Sequence, residues 1–268
     1  MSLSYSQLST YRHCPKQYEY MSIKKVPRRI SSGESFGSSI HNTLRRWGEL
    51  EMLGQATTPL KNQLKLFAEH EQESVKQRPL ELNTLLTMFR ECFIAEGYES
   101  RAAMDNALMR GEKLMQTFFV WWKKEERTVI TIESGFKLNI ERENAAALVL
   151  SGRYDRIERT EKGLWIIDYK TSEPRSQESV DSDLQLSIYA LAAEQEWNQP
   201  IDRLSLLFLS EEGVTELSTT RNASELQNAV ATIRLLNGGI EAKDFTATPT
   251  REKCAYCPYR EICPARAT

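Results

Sequence analysis

Hydrophobic residues in the first half of the chain recur mostly at helical spacing. One stripe between Glu34 and Leu53 predicts an amphipathic helix and contains Phe36, Ile40, Leu44 and Trp47. We expect a loop at Gln55–Pro59, and then a region from Leu60 to about Arg127 that is helical almost throughout. Residues 54–128 are therefore interpreted as a helical insertion that covers or shapes a cleft.

The pattern changes to that of strands after residue 128. Val129–Ile140 alternates between faces, with Gly135 as an expected bulge or turn, and Leu148–Ile157 is a second strand pattern. The short apolar run Leu164–Ile167 favours a buried strand, and the polar residues Arg159–Lys162 favour a hairpin turn before it. These segments predict a three-stranded antiparallel start to a sheet.

The remaining elements predict helices on both sides of that sheet. We expect a capped helix that stops before Pro15, a helix at Ser176–Trp197, strands at Leu204–Leu209 and Val214–Ser218, and a helix at Ala223–Leu236 that ends at Gly238-Gly239. The predicted fold class is α/β, with a central mixed sheet flanked by helices.

Length and composition are typical of one large globular domain. The chain has 268 residues, of which 40% are hydrophobic, enough for a sizeable core. No apolar run is of signal-peptide or membrane-spanning type, so a soluble, cytoplasmic protein without membrane contact is expected. The net charge of -2 argues against a general polyanion binder, although a nuclease needs only a local basic track.

The end of the predicted Leu164–Ile167 strand carries candidate chemistry. Asp168 and Lys170 are two residues apart and project from one face, while Tyr169 points away. Pairing with the preceding strand would bring Asp155 beside Asp168. Two carboxylates and a lysine form a hard-oxygen site that suits Mg²⁺ or Mn²⁺. The alternative is a same-face ion pair at a sheet edge. Burial lowers the pKa of Lys170 and the acids raise it, so the sequence leaves the direction open.

Two helical pairs could face the same place. Gly37 and His41 are one turn apart, so glycine would allow close approach to the sheet while His41 reaches the site; a packed or surface histidine is the alternative. Gln185 and Tyr189 are also separated by one turn. Tyr189 could equally be a core residue whose hydroxyl reaches water.

The cysteines are the most specific local signal. Cys254, Cys257 and Cys263 form a C-x2-C-x5-C pattern, and Cys14 is the best fourth ligand. Four soft ligands are the usual complement of an iron–sulfur cluster or a zinc ion. The fifth cysteine, Cys92, lies in the helical region and is interpreted as a buried small hydrophobe.

Four motifs in order resemble the PD-(D/E)xK nuclease superfamily in its RecB-like branch. They are Gly37-Ser38-Ser39-Ile40-His41, Gly152-Arg153-Tyr154-Asp155-Arg156-Ile157, Asp168-Tyr169-Lys170-Thr171 and Gln185-Leu186-Ser187-Ile188-Tyr189. The long-range cysteine followed by a C-terminal trio is similar to the iron–sulfur centre of AddAB-type and CRISPR-associated members.

The resemblance implies a role for each of these residues. Within a restriction-endonuclease-like core, residues 1–268 form a single nuclease domain in which His41, Asp155, Asp168 and the main-chain carbonyl of Tyr169 hold Mg²⁺ or Mn²⁺. The catalytic residues are Asp155, Asp168 and Lys170, and Gln185 and Tyr189 bind substrate. Residues 1–33 and 245–268 form an iron–sulfur module, in which Cys14, Cys254, Cys257 and Cys263 hold a 4Fe-4S cluster that joins the termini; zinc is the alternative.

The function implied is that of a DNA nuclease, most of all a single-stranded DNA exonuclease in DNA repair, recombination or CRISPR-type DNA processing. DNA with free ends is the expected partner, and a helicase or a CRISPR-adaptation protein is a further expected partner. The alternative is a nuclease-inactive or partner-dependent nucleic-acid-binding subunit with a structural four-cysteine metal site.

Overall fold

The computed structural model describes residues 2–63, 80–142 and 145–267. Its strands are β1 (Thr128–Arg142), β2 (Ala145–Thr160), β3 (Gly163–Lys170), β4 (Ile201–Leu209) and β5 (Val214–Thr219). Its helices are α1 (Tyr5–His13), α2 (Pro15–Tyr18), α3 (Ser32–Gln63), α4 (Leu82–Cys92), α5 (Arg101–Trp122), α6 (Gln177–Asp181), α7 (Leu184–Glu196), α8 (Ala223–Glu241) and α9 (Arg251–Ala255).

The strands form one mixed sheet in the order β1-β2-β3-β4-β5. The pairs β1/β2, β2/β3 and β4/β5 are antiparallel, and β3/β4 is parallel. A parallel neighbour requires a crossover connection, which α6 and α7 supply here. This architecture confirms the predicted α/β fold class with a central mixed sheet flanked by helices.

The two faces of the sheet bury separate apolar cores. Alternation along β3 sends Leu164 and Ile166 to one core and Trp165, Ile167 and Tyr169 to the other. Helices α1, α7 and α8 cover the first face, and α3, α4 and α5 cover the second. The predicted stripe on α3 is confirmed as core, because Phe36, Ile40, Leu44 and Trp47 are all buried.

Helix α3 is longer than the hydrophobic stripe predicted. The predicted loop at Gln55–Pro59 is wrong, because these residues lie inside the continuous helix Ser32–Gln63. The side-chain amide of Gln55 donates to the main-chain oxygen of Arg127 at 2.8 Å, which fastens this part of α3 to the start of the sheet. A tertiary contact therefore overrides the local preference for a loop.

The insertion is less continuously helical than expected. The helices α4 and α5 are separated by a non-helical connection at residues 93–100, and residues 64–79 lie outside the described residues. Cys92 is the last residue of α4 and its sulfur accepts from the guanidinium of Arg46 on α3, at 3.5 Å. Cys92 was predicted to be buried, but its thiol is only partly buried.

Three further boundaries differ from the predictions. The helix expected at Ser176–Trp197 is two helices, because the Asp183 side chain caps α7 by accepting from the Leu186 N–H. Gly238 and Gly239 lie inside α8, where a Cβ on Gly239 would come within 2.3 Å of the Tyr11 hydroxyl. That glycine allows contact with α1 and does not end the helix. Gly135 pairs regularly with Arg153, so it is neither a bulge nor a turn.

The N-terminal prediction is confirmed. Helix α1 begins after Ser4, whose hydroxyl forms a capping box with Gln7, and it ends at Cys14. Pro15 then opens α2, where its missing N–H costs nothing. In the described part of the chain, no helix combines the length and apolar character that crossing a bilayer requires.

Candidate active site

Two acidic residues lie side by side on the neighbouring strands β2 and β3. The register pairs Arg156 of β2 with Ile167 of β3, so the next residues along, Asp155 and Asp168, are opposite each other. The Asp155 carboxylate accepts from the main-chain N–H of Tyr169 at 2.9 Å, which fixes its position against β3. The predicted proximity of Asp155 and Asp168 follows from this pairing.

His41 reaches the same place from α3. Its Nδ1 lies 3.3 Å from Oδ2 of Asp155, and its side chain keeps a 33% exposed surface. Gly37 precedes it by one turn, and a Cβ at Gly37 would lie 3.7 Å from Oγ1 of Thr171 at the end of β3. The helix thus approaches the sheet closely enough to bring His41 to the acids, as the sequence predicted.

Asp168 and Lys170 form an ion pair with two partners from α7. Lys170 Nζ lies 2.6 Å from Oδ2 of Asp168 and also donates to the Gln185 side-chain oxygen at 3.0 Å. The Gln185 amide and the Tyr189 hydroxyl both donate to Oδ1 of Asp168, each at 2.9 Å. Gln185 and Tyr189 therefore hold the two candidate catalytic side chains in place, while their contact with substrate stays a prediction.

The second oxygen of Asp168 faces Lys170. The residue is 3% exposed, and Lys170 Nζ lies 2.6 Å from its Oδ2. A buried carboxylate gains free energy from a positive partner, and the Lys170 ammonium supplies one here.

Glu133 belongs to this site and was missed by the sequence reasoning. His41, Glu133 and Asp155 each offer one ligand atom, and these three atoms lie within 4.8 Å of one another. Glu133 has a φ of 49°, an uncommon backbone conformation for a residue of this type, and its carboxylate binds Arg153 at 3.1 Å. The only signal in the sequence was an acid in the strand that pairs with the Asp155 strand.

The electrostatic environment keeps His41 and Lys170 positively charged. Burial alone would lower the pKa of His41, but the hydrogen bond and charge of Asp155 raise it to about 9. Burial also opposes the charge of Lys170, yet the charges of Asp168 and Asp155 raise its pKa. The direction that the sequence left open is therefore upward.

The pKa values of Asp168 and Tyr189 are raised as well. Burial and the neighbouring Asp155 charge raise the pKa of Asp168, although Lys170 opposes them. Burial and then the Asp168 charge raise the pKa of Tyr189 well above its ordinary value, so its hydroxyl remains a donor. The acids at this site therefore raise one another's pKa, and His41 and Lys170 supply the compensating positive charge.

The side chains fit a hard divalent cation. Carboxylate oxygens of Glu133 and Asp155 and an imidazole nitrogen of His41 are ligands that suit Mg²⁺ or Mn²⁺. The predicted ligand Asp168 lies beside this group and is paired with Lys170. The N–H of Tyr169 points towards Asp155, and in a strand the C=O of the same residue points to the same neighbour. The predicted Tyr169 carbonyl ligand is consistent with this direction.

A second cluster joins the ends of the chain. Cys14, Cys254, Cys257 and Cys263 line one cavity, and all five cysteines of the chain are free thiols. The terminal segments also contact each other directly: Tyr11 donates to the Asp244 carbonyl at 2.7 Å, and Thr248 to the His13 carbonyl at 3.2 Å. Main-chain N–H groups of residues 16, 17 and 248 outweigh burial and lower the pKa of Cys14.

Comparison with known proteins identifies the family of this chain. None of the curated proteins matches the chain at a significant level. A solved structure described as the crystal structure of SSO0001 is 16% identical, with 98% of this chain and 96% of that chain covered and a TM-score of 0.41. The sequence profile of the PD-(D/E)XK nuclease superfamily matches residues 2–264, almost the entire chain. With that match, the protein belongs to the PD-(D/E)XK nuclease superfamily.

Proposed function

We propose that this protein hydrolyses DNA phosphodiester bonds, acting on single strands from an end. Membership of the superfamily indicates a metal-dependent nuclease. The observation that carries the proposal is the convergence of His41, Asp155, Asp168 and Lys170, from one helix and two strands, at one place. An isolated surface ion pair would need neither the histidine nor the second acid.

The ligands of the metal would be His41, Asp155, Asp168 and the Tyr169 carbonyl, with Glu133 as a further carboxylate. A bound Mg²⁺ or Mn²⁺ supplies Lewis-acid polarisation of the scissile phosphate and lowers the pKa of a water molecule. Asp155 is fixed by the Tyr169 N–H and Asp168 by Gln185 and Tyr189, so both carboxylates are held before substrate arrives. Such preorganisation reduces the reorganisation that the reaction requires.

Lys170 would act on charge and orientation. Because the neighbouring acids raise the pKa of Lys170, the ammonium stays protonated at neutral pH. It is better suited to orient the attacking water and to offset negative charge in the transition state than to accept a proton. Gln185 fixes its direction through the 3.0 Å hydrogen bond.

The choice of a single DNA strand with a free end is supported by the resemblance of the four motifs to the RecB-like branch. The charge distribution agrees with a local contact: the net charge is -2, yet the cations Arg153 and Lys170 border the acids, and Arg153 is 62% exposed at its side chain. A few exposed cations suffice to hold a short stretch of backbone. A helicase or CRISPR-adaptation partner stays a prediction.

We propose further that the four cysteines hold a 4Fe-4S cluster. Cys14, Cys254, Cys257 and Cys263 line one cavity, so four thiolates can share one ligand. The resemblance of a long-range cysteine and a C-terminal trio to the iron–sulfur centre of AddAB-type and CRISPR-associated members supports the cluster, and a zinc ion held by the same thiolates is the alternative.

The test of the nuclease proposal uses anaerobically purified full-length protein. Linear single strands labelled at the 5′ or the 3′ end, circular single strands, duplex DNA and RNA are incubated with Mg²⁺, Mn²⁺ or EDTA. The expected result is metal-dependent shortening of the linear single strands and survival of the circles. Equal cleavage by the Asp168→Asn variant, or cleavage in EDTA, would overturn the proposal; cutting of circles would replace an end-dependent by an internal mode.

A further inference from the structure

A groove opens beside the candidate active site, between α3 and the insertion. Its walls come from the first turns of α3, the 93–100 connection and α5, and it ends at Thr171 of the sheet. The residues that matter below are Gly33, Phe36, Tyr98, Asn106, Arg110 and Thr171, and the acidic Glu99 also lines the groove. None of the lining residues is a ligand of the proposed metal site.

The groove lies next to the candidate site along the chain and along α3. Thr171 directly follows Lys170, and its hydroxyl faces Gly37 of α3. Gly33, Gly37 and His41 are spaced by four residues, so they lie along one stripe of α3 that runs from the groove to the metal ligands. At Gly33 an added Cβ would meet no atom within 4 Å, so the stripe borders open space at that end.

Arg110 presents a preorganised cation to this groove. Its guanidinium stacks on the ring of Phe36 at 4.9 Å, and Phe36 is buried beneath it. The side chain of Arg110 is 46% exposed, and its contact with Glu211 is a loose one of 3.8 Å. The guanidinium is therefore held in direction while its donors remain available to an anion.

Tyr98 makes part of the same wall. Its ring stacks on Phe93 at 5.8 Å, which fixes its position, and its hydroxyl oxygen is buried. Asn106 on α5 adds a neutral amide that can donate or accept.

We propose that this groove binds the single DNA strand that leads away from the scissile phosphate. This inference rests on the proposed function and adds its substrate track. Arg110 contacts a backbone phosphate, the Asn106 amide bonds to the strand, and the Gly33–Gly37 stripe leaves room for the strand on its way to His41. Proteins that bind single strands without sequence preference combine positively charged side chains with aromatic ones.

The first test measures binding of a fluorescein-labelled single strand to the Asp168→Asn protein over a series of salt concentrations. Adding Arg110→Gln should weaken the affinity roughly tenfold, as expected for loss of one charge-assisted contact. It should also reduce the slope of log K against log salt by about 0.7, the value for one phosphate contact on a single strand. Arg101→Gln on the same helix is the control, because Arg101 is 90% exposed and lies outside the groove.

The second test fills the open space with a side chain. Gly33→Leu places a branched side chain in the groove. Gly54→Leu is the control: it adds the same side chain outside the groove, about 30 Å along α3, where an added Cβ also meets no atom within 4 Å. Both changes favour the helix, so folding is preserved. Gly33→Leu should weaken single-strand binding at least tenfold and Gly54→Leu less than twofold.

The outcomes separate this inference from the proposed function. Unchanged affinity and salt slope in both Arg110→Gln and Gly33→Leu, with intact cleavage by the wild-type protein, would overturn the groove alone. Weakened binding in both variants, with no cleavage by the wild type under any metal, would support the groove and overturn the nuclease proposal. A loss of duplex binding that equals the loss of single-strand binding would contradict the single-strand assignment.

Discussion

Arg156 of β2 is bound to Glu51 of α3, a partner 105 positions away, through two hydrogen bonds of 2.5 and 3.0 Å to both carboxylate oxygens. The next residue of β2, Asp155, contacts His41 on the same helix. Consecutive residues of one strand thus fasten α3 at two separate points. One contact belongs to the candidate metal site, and the other is a buried ion pair farther along the same helix.

The buried pair should be a major determinant of stability. Replacing Arg156 by Leu leaves the buried carboxylates of Glu51 and Glu158 without their main partner, so we expect a loss of about 3–5 kcal/mol of unfolding free energy. Arg45→Ala on α3 is the control; its pair with Glu49 is exposed, and about 0.5 kcal/mol or less is expected. Urea unfolding measures both, and equal small losses would show that the pair does not fasten the helix.

The protonation of His41 should follow its contact with Asp155. In the metal-free protein the imidazole is expected to titrate near pH 9, and Asp155→Asn should lower that pKa because burial then dominates. Since the pKa is raised on folding, the pair contributes stability fully below about pH 6.5 and loses it as the pH rises through 9.

Nuclear magnetic resonance can follow this titration, because the chain has only three histidines. A ligating imidazole must be neutral, so added Mg²⁺ should lower the pH at which His41 loses its proton. A His41 pKa below 7 in the metal-free wild type would contradict the ion pair with Asp155.

Lys170 should matter for catalysis. Lys170→Met removes the ion-pair partner of Asp168, a side chain that is 4% exposed but keeps Gln185 and Tyr189 as donors, so cleavage is compared at a temperature where the variant is folded. We expect DNA cleavage to fall about 10²- to 10⁴-fold, the contribution of a positioned acid–base or charge-stabilising group. Arg175→Met, which removes a neighbouring cation bound to Asp183, is the comparison and should retain most activity. Comparable losses of activity in both variants would show that Lys170 contributes only through its positive charge and has no specific role in the reaction.

The sequence predicted that the candidate site residues lie close together, because short-range rules determine their positions. Alternation along β3 separates Asp168 and Lys170 from Tyr169, and a short hairpin fixes the register that brings Asp155 opposite Asp168. The helical spacing of Gly37 and His41 then needs only a helix that packs against the sheet. Alternation along a strand and spacing by one helical turn are local patterns that can be read directly from the amino-acid sequence.

The features that were missed depend on long-range contacts. Glu133 joins the site only because β1 pairs with β2 in a particular register, and its unusual φ is not visible in the letters. Gly239 has the sequence signature of a helix end, yet it is needed inside α8 for the approach of Tyr11. The Gln55 contact that extends α3 likewise links positions 72 apart. Tertiary packing selects among local preferences in each case.

Tyr189 and Gln185 should affect turnover more than substrate affinity. Both donate to Oδ1 of Asp168, and Tyr189 is 4% exposed. Tyr189→Phe removes one donor and retains the ring, so we expect kcat for DNA cleavage to fall by about a factor of ten with KM little changed. The measurement is a steady-state assay on a labelled single strand. A raised KM at unchanged kcat would instead support direct contact of these residues with substrate.

The cysteine cluster should link metal content to stability. Protein purified without oxygen is expected to be brown and to contain four irons per chain, because four thiolates are the ligands of a cubane cluster. Cys14→Ser removes the one ligand that comes from the N-terminal segment, so iron content and thermal stability should fall together, since the ligand closes a loop of nearly the whole chain.

Cys92→Ser is the matched control for that substitution. Its sulfur lies at the end of α4 and accepts from Arg46, outside the cavity that the other four thiols line. This variant should retain full iron content and change the melting temperature little. One zinc per chain in the anaerobic wild type would contradict the cluster, and a Cys14→Ser variant that loses iron but melts like the wild type would show that the cluster does not hold the termini together.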